Sequence, residues 1–330
     1  MKDKEKIVHK TSVGGQALME GVMMNGPKGC AMSVRNKEGE IITEFAEVRH
    51  IKDKIKFLGW PFIRGIVNFI ESMLIGYKSL MRSAELSGQL EDEENPENMS
   101  KLDKWLNDHM GPKMMTAITG VASVLAVLLG AGLFVFLPTY LVDLADSRLF
   151  DSALASYHAL FEGIIRMIIM VAYMFAVSQM KDIKRVFMYH GAEHKSIFCY
   201  EKGLELTVEN VRSCKRFHPR CGTSFIFVVL IISVIVSSLV LLVFPVLRDD
   251  AYRLPWMIIK IVGILPVVTA ISYEFIKYAG KHDNILTKIL SAPGLWMQRI
   301  TTKEPDDSMI EVAITSIKAV ITDNPEDDRL

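Results

Sequence analysis

The stretch Tyr189-His190-Gly191-Ala192-Glu193-His194-Lys195 sets two imidazoles four residues apart, with a carboxylate beside the second. On a helix, i and i+4 side chains share a face, with Cβ atoms roughly 5–6 Å apart. That separation suits two nitrogens on one metal ion. The order HxxEH is that of the inverted zincins, in which both imidazoles bind zinc and the glutamate is general base toward a water. His190 and His194 therefore read as ligands and Glu193 as a base. A catalytic zinc needs a third protein ligand. His218 and Cys221, in His218-Pro219-Arg220-Cys221-Gly222, are the nearest of suitable type. Glu274 is a further choice: it lies near the end of an apolar segment, where a buried acid is costly and has a partner or a job. It either completes the metal site or pairs with a basic residue. Glu201 shares the helical face but lies roughly 10.5 Å along the axis from His194, too far to ligate directly. Zinc or another divalent cation is the cofactor this set implies. Two bland readings stand beside it: a surface helix with hydrogen-bonded histidines, and a structural zinc held by the loop histidines with His218 and Cys221.

The elements that must position these groups come from hydropathy. Half of the 330 residues are hydrophobic and the formal net charge is zero, so no global basic field points to nucleic acid. The apolar residues are bunched into four runs, Met114–Val142, Ala159–Met180, Thr223–Leu247 and Pro255–Ala279. About 20 apolar residues cross a hydrocarbon core of about 30 Å. The first and third runs carry no charge at all. Glu162 and Arg166 are i, i+4 in the second and read as a pair, and Lys260 in the fourth reads as snorkelling. The segment 181–222 is rich in Lys and Arg, whereas 143–158 holds only Arg148 and 248–254 only Arg248 and Arg253. The positive-inside rule then makes 181–222 cytoplasmic, and an even number of spans puts both termini there too. No apolar leader follows Met1. With three of the four cysteines in the cytoplasmic loop and no CxxC pair, reduced thiols are expected. The spacing Ile183, Val186, Phe187, His190, His194, Ile197, Phe198 is helical, so the second span can simply continue into the motif.

The expected fold is a mainly α membrane protein: four transmembrane helices, an in-plane amphipathic helix and a small α+β cytoplasmic domain. Residues 1–56 form a glycine-rich β-containing unit, with strands near Cys30–Arg35 and Glu40–Val48 joined by a turn at Asn36-Lys37-Glu38-Gly39. Residues 57–84 read as the amphipathic helix, lying on a membrane or packed on the spans. Residues 85–112 are an acidic linker, 113–180 the first two spans, 181–222 the His/Cys loop, 223–279 the last two spans, and 280–330 a tail. In the tail, Ile310, Ala313, Ile314, Ile317, Val320 and Ile321 mark a short helix docked on the cytoplasmic domain.

Several motifs together carry a resemblance. Gly14-Gly15-Gln16-Ala17-Leu18-Met19-Glu20-Gly21-Val22-Met23-Met24 with Gly26-Pro27, Tyr189 to Lys195, Leu206 to Asn210, and His218 to Phe225 are similar to those of the YqhQ-like family of bacterial membrane proteins. The resemblance spans nearly the whole chain. It implies a multi-pass protein of the bacterial inner membrane and carries the label of a metal-dependent enzyme. Two functions follow as expectations. One is a zinc-dependent hydrolase in which Glu193 activates water and the Gly14-Gly15 backbone, Gln16 and Glu20 contact substrate. The other is a non-enzymatic adaptor that binds another membrane protein, such as a translocation channel, transporter or membrane protease. A channel is the weaker idea, because the first and third spans offer too few polar residues.

Overall fold

The computed structural model describes residues 8–46, 56–60, 63–89, 104–105, 112–150, 157–248, 250–282 and 284–329. The acidic run 91–97 lies outside them.

The glycine-rich segment folds as a four-stranded antiparallel meander: β1 Gly14–Leu18, β2 Gly21–Gly26, β3 Gly29–Arg35 and β4 Ile41–Ala46. Leu18 pairs with Gly21 across a two-residue turn, and Gly26 with Gly29 across another. The anticipated turn at 36–39 closes β3 on β4, with Gly39 at φ +87° and the Asn36 side chain accepting from the Glu40 amide. Side chains alternate across the sheet, so Val22, Met24 and Ala31 enter one core and Leu18, Met23, Cys30, Met32 and Val34 another. Both faces are covered, which is why the central strands read as continuous apolar runs.

Helix α1, Ile63–Leu86, covers the second face through Ile75, Leu80 and Leu86. Its buried side is otherwise small or polar: Gly65, Glu71, Gly76, Ser79, Ser83 and Ala84. Phe69, Ile70, Met73, Leu74 and Tyr77 point outward. The apolar stripe read from the sequence therefore faces away from the protein.

Among the described residues, four helices are long and apolar enough to cross a membrane. Helix α2 is built of Pro112–Ala131, a π-helical turn Gly132–Phe136, and Leu137–Leu149. Helix α3 is His158–Val177. Helix α4, Lys181–Glu201, carries the histidines, and the short α5 is Val208–Ser213. Helix α6 is Gly222–Val243, and α7 comprises Arg253–Ile258, a π-helical stretch Ile259–Ile264, and Leu265–Lys281. The apolar helix α3 does not run on into the motif. Met180 is extended, so the chain breaks before Lys181 and restarts as α4. Between the apolar helices, Glu162 accepts from Arg166, as expected, and also from Lys260 at 2.7 Å. Lys260 thus stays inside the bundle instead of snorkelling, because the acid offers a closer partner.

The tail contributes two helices. Helix α8, Ile285–Thr301, had no counterpart in the sequence reading; it starts with a capping box at Asn284 and packs along α6. Gly294 makes that contact close: a Cβ there would lie 2.5 Å from Ser224 Cα. Helix α9, Asp307–Val320, is the anticipated docked helix. Met309, Ile310, Ala313 and Ile317 pack with Tyr189 and Ala192 of α4 against the first face of the sheet.

Candidate metal centre

Helix α4 presents His190 and His194 on one side, and the loop before α6 brings Cys221 to them. Their ligating atoms all lie within 4.8 Å of one another. His190 Nε2 is 3.2 Å from Cys221 Sγ, and the two imidazole centroids are 4.4 Å apart. Each ring has its second nitrogen on a backbone carbonyl: His190 Nδ1 on Thr301 O at 2.9 Å, His194 Nδ1 on Arg216 O at 2.5 Å. A carbonyl only accepts, so Nδ1 carries a proton in both rings and Nε2 is the nitrogen turned toward Cys221. This is the arrangement that orients histidine ligands around metals.

The charge state is that of a thiolate–imidazolium pair, in which a cation would take the place of the His190 Nε2 proton. Burial pushes the Cys221 thiol up, but the His190 and His194 charges outweigh it and hold the thiol well below its ordinary range. Burial pulls His190 down, yet the adjacent Cys221 thiolate and Glu193 bring it up to about 9. A thiolate between two imidazoles is a donor set for a soft or borderline divalent cation, zinc above all. The residues present fit such an ion.

Glu193 is 4% exposed and sits where strand β1 crosses α4. A Cβ on Gly15 would come within 3.1 Å of Glu193 Cγ and 2.5 Å of Met23 O, so only glycine lets the strand approach. The Gly15 amide donates to the Glu193 carboxylate. Burial raises the Glu193 pKa, against the opposing charges of His194 and His190. Gly15 itself is exposed, whereas Glu193, His194 and Cys221 are buried.

The other expected site residues lie around this centre in different ways. His218 is adjacent: its ring centroid is 5.7 Å from that of His194, but Nε2 faces Glu201 at 3.4 Å. Burial drives His218 down to about 4. Glu201 also accepts from Arg220 and from the Thr11 amide. Burial would raise its pKa, but His218 and Arg220 hold it at about 2. Glu274 is not brought to the cluster. Arg64 of α1 grips it with two parallel bonds of 2.7 and 2.6 Å, the strong fork geometry of a guanidinium on a carboxylate. Glu20 is held the same way by Arg185, at 2.5 Å, with the Tyr189 hydroxyl donating at 3.2 Å. It latches the β1–β2 turn to α4, about one and a half turns before His190. Gln16 points to the opposite face of the sheet, against Gly76 of α1. The carbonyls of Thr301 and Arg216, and Gln298, which clasps the His218 backbone at 2.7 and 2.8 Å, had no sequence signal.

A family model described as "Protein of unknown function (DUF1385)" matches residues 60–323. The chain belongs to the DUF1385 family. That match takes in α4, Cys221 and α9 but begins after the sheet. The chain is also 35% identical, over 311 residues, to "Uncharacterized protein YqhQ" of Bacillus subtilis (strain 168), covering 93% of this chain and 92% of that relative. No solved structure matches. The family resemblance read from the motifs therefore stands. The metal-dependent-enzyme label that the resemblance carries has no support in either description.

Proposed function

We propose that this DUF1385 protein is a multi-pass protein of the bacterial inner membrane with a metal centre at its cytoplasmic face, held by His190, His194 and Cys221, and that it acts as a metal-dependent hydrolase. One observation carries this reading: three donor atoms of ligand type converge while each imidazole has Nδ1 on a backbone carbonyl, which aims Nε2 at the cluster. A divalent cation bound there would lower the pKa of a water ligand. Glu193, next to His194 and raised in pKa by burial, takes up a proton and hands it to the leaving group. The Gly15 amide holds the Glu193 carboxylate in place, and the exposed backbone beside it is where substrate approaches.

The protein purified in mild detergent without chelator is expected to carry about one divalent cation per chain by elemental analysis. His190→Ala, His194→Ala and Cys221→Ser lose it, while Glu193→Gln and Glu274→Gln keep it; Glu193→Gln then abolishes hydrolysis. A metal-free native protein, or full retention in the three ligand variants, overturns the assignment.

A second reading is that of an adaptor for another membrane protein. The outward row Met73, Leu74 and Tyr77 on α1 favours it, since these large apolar side chains are exposed among the described residues. A membrane protein that co-purifies equally with the native chain and with Glu193→Gln marks this reading over turnover.

A further inference from the structure

We infer that α8 lies in the plane of one membrane leaflet, with its outer face among acyl chains and anionic headgroups, at the level of the His190–His194–Cys221 cluster. Its inner face is small or polar: Thr287, Ser291, Gly294, Gln298 and Thr301 are buried against the protein, together with Met297. Its outer face is large and apolar. Ile285, Leu286, Ile289 and Trp296 are between 52% and 78% exposed. A helix built only to pack on this chain would turn those side chains inward. Lys288 and Arg299 are the charged residues of Ile285–Thr301, both exposed, and no acid accompanies them. A cationic helix with an apolar face and a tryptophan is the chemistry of an interfacial helix on anionic lipid.

Its position in the fold points to the same occupant. Helix α8 lies against the beginning of α6 through the Gly294–Ser224 contact, so its outer face continues the exposed apolar surface of that candidate span. On the other side of the same helix end, Phe69 of α1 stacks near Phe225, with ring centroids 5.7 Å apart. Two amphipathic helices thus flank the start of α6, both with their apolar sides turned out. Helix α8 is also a wall of the metal centre: its last turn supplies the Thr301 carbonyl to His190, and Gln298 holds His218. The lipid placement holds whether or not a metal binds there.

The test uses the full chain with Trp60, Trp105 and Trp256 changed to Phe, leaving Trp296 alone of the four tryptophans. It is reconstituted in vesicles of equal parts phosphatidylglycerol and phosphatidylcholine brominated on its acyl chains. Trp296 emission is expected to fall by more than about half relative to unbrominated vesicles, with little quenching by aqueous iodide. Bromine placed near the headgroup should quench more than bromine near the chain end. Quenching by iodide alone puts the helix in water, and quenching by neither puts it under a protein partner or a second copy; either result overturns the proposal. Should the Trp256→Phe change prevent folding, the same quantity is read as the bromolipid quenching lost between the native chain and Trp296→Phe.

Discussion

Gly191 shows how one residue decides the site. Glycine inside a helix costs about 1 kcal/mol relative to alanine, and in the motif it looks like a weakness. In the fold, a Cβ at Gly191 would run into the Lys303 carbonyl oxygen. The Lys303 amide donates to Phe187 O at 2.8 Å, so the segment after α8 crosses α4 at this point and brings the Thr301 carbonyl to His190. Gly191→Ala is therefore expected to destabilise by about 1–3 kcal/mol despite its better helix propensity, and to lower bound metal. Thermal midpoints with elemental analysis check this; a raised midpoint with full metal would show that propensity outweighs the contact. The Glu201–His218 pair sets the acid response. His218 titrates at about 4 in the fold against 6.5 ordinarily, so the unfolded chain protonates first, and its contribution declines as pH falls from 6.5 to 4. Glu201 titrates at about 2 against 4.5, so its contribution, about 3 kcal/mol, is present above 4.5 and lost as pH falls toward 2. Thermal midpoints should drop in both windows. Glu201→Gln should flatten the lower one, and an unchanged profile in that variant would show that the pair does not govern acid stability.

At the scale of elements, the sequence was legible wherever a period was long and clean. The last three apolar runs, the β3–β4 hairpin and α9 appear where spacing placed them, within a few residues, while the first run continues as helix seven residues past Val142, to Leu149. Direction was less legible than existence. The stripe on α1 is a helical face, but periodicity names a face and not its neighbour, and among the described residues most of that face is exposed. Helix α8 escaped because Pro293 interrupts it and its apolar residues do not form a core stripe, since its small and polar residues do the packing. The boundary between α3 and α4 is set by the extended backbone at Met180, which no residue type nearby announces. The expectation that lipid covers α8 belongs to this scale, and the Trp296 measurement is its check.

At the scale of the molecule, the two described ends of the chain meet. Thr11 bridges to Arg329, its hydroxyl donates to Asp328 at 2.8 Å, and its amide donates to Glu201 of α4 at 3.1 Å. Lys10 reaches the Gly280 carbonyl at the end of α7 at 3.2 Å. The sheet, α4, α8 and α9 are thus gathered together with the described ends of the chain. If the four helices cross a bilayer, exposed Ser147 at the end of α2 and exposed Ser308 in α9 lie on opposite sides. The four native cysteines are buried, so a membrane-impermeant maleimide reports an introduced thiol cleanly. In intact bacterial cells, Ser147→Cys is expected to label and Ser308→Cys to label only after lysis. Labelling of both from outside, or of Ser308→Cys alone, removes the cytoplasmic placement of the centre.

By itself the sequence determined a mainly helical chain, the four membrane-length helices of the described residues, and His190 and His194 as imidazoles on one helix face, because each of these follows from local spacing. It also named Cys221, though only as one of several third donors. Which one reaches the histidines depended on contacts across distant parts of the chain: Arg64 on α1 occupies Glu274, Glu201 occupies His218, and Cys221 at the head of α6 remains to face the imidazoles. Partner choice among equally suitable side chains is a competition between donors and acceptors brought together by packing, and only the tertiary structure holds that competition.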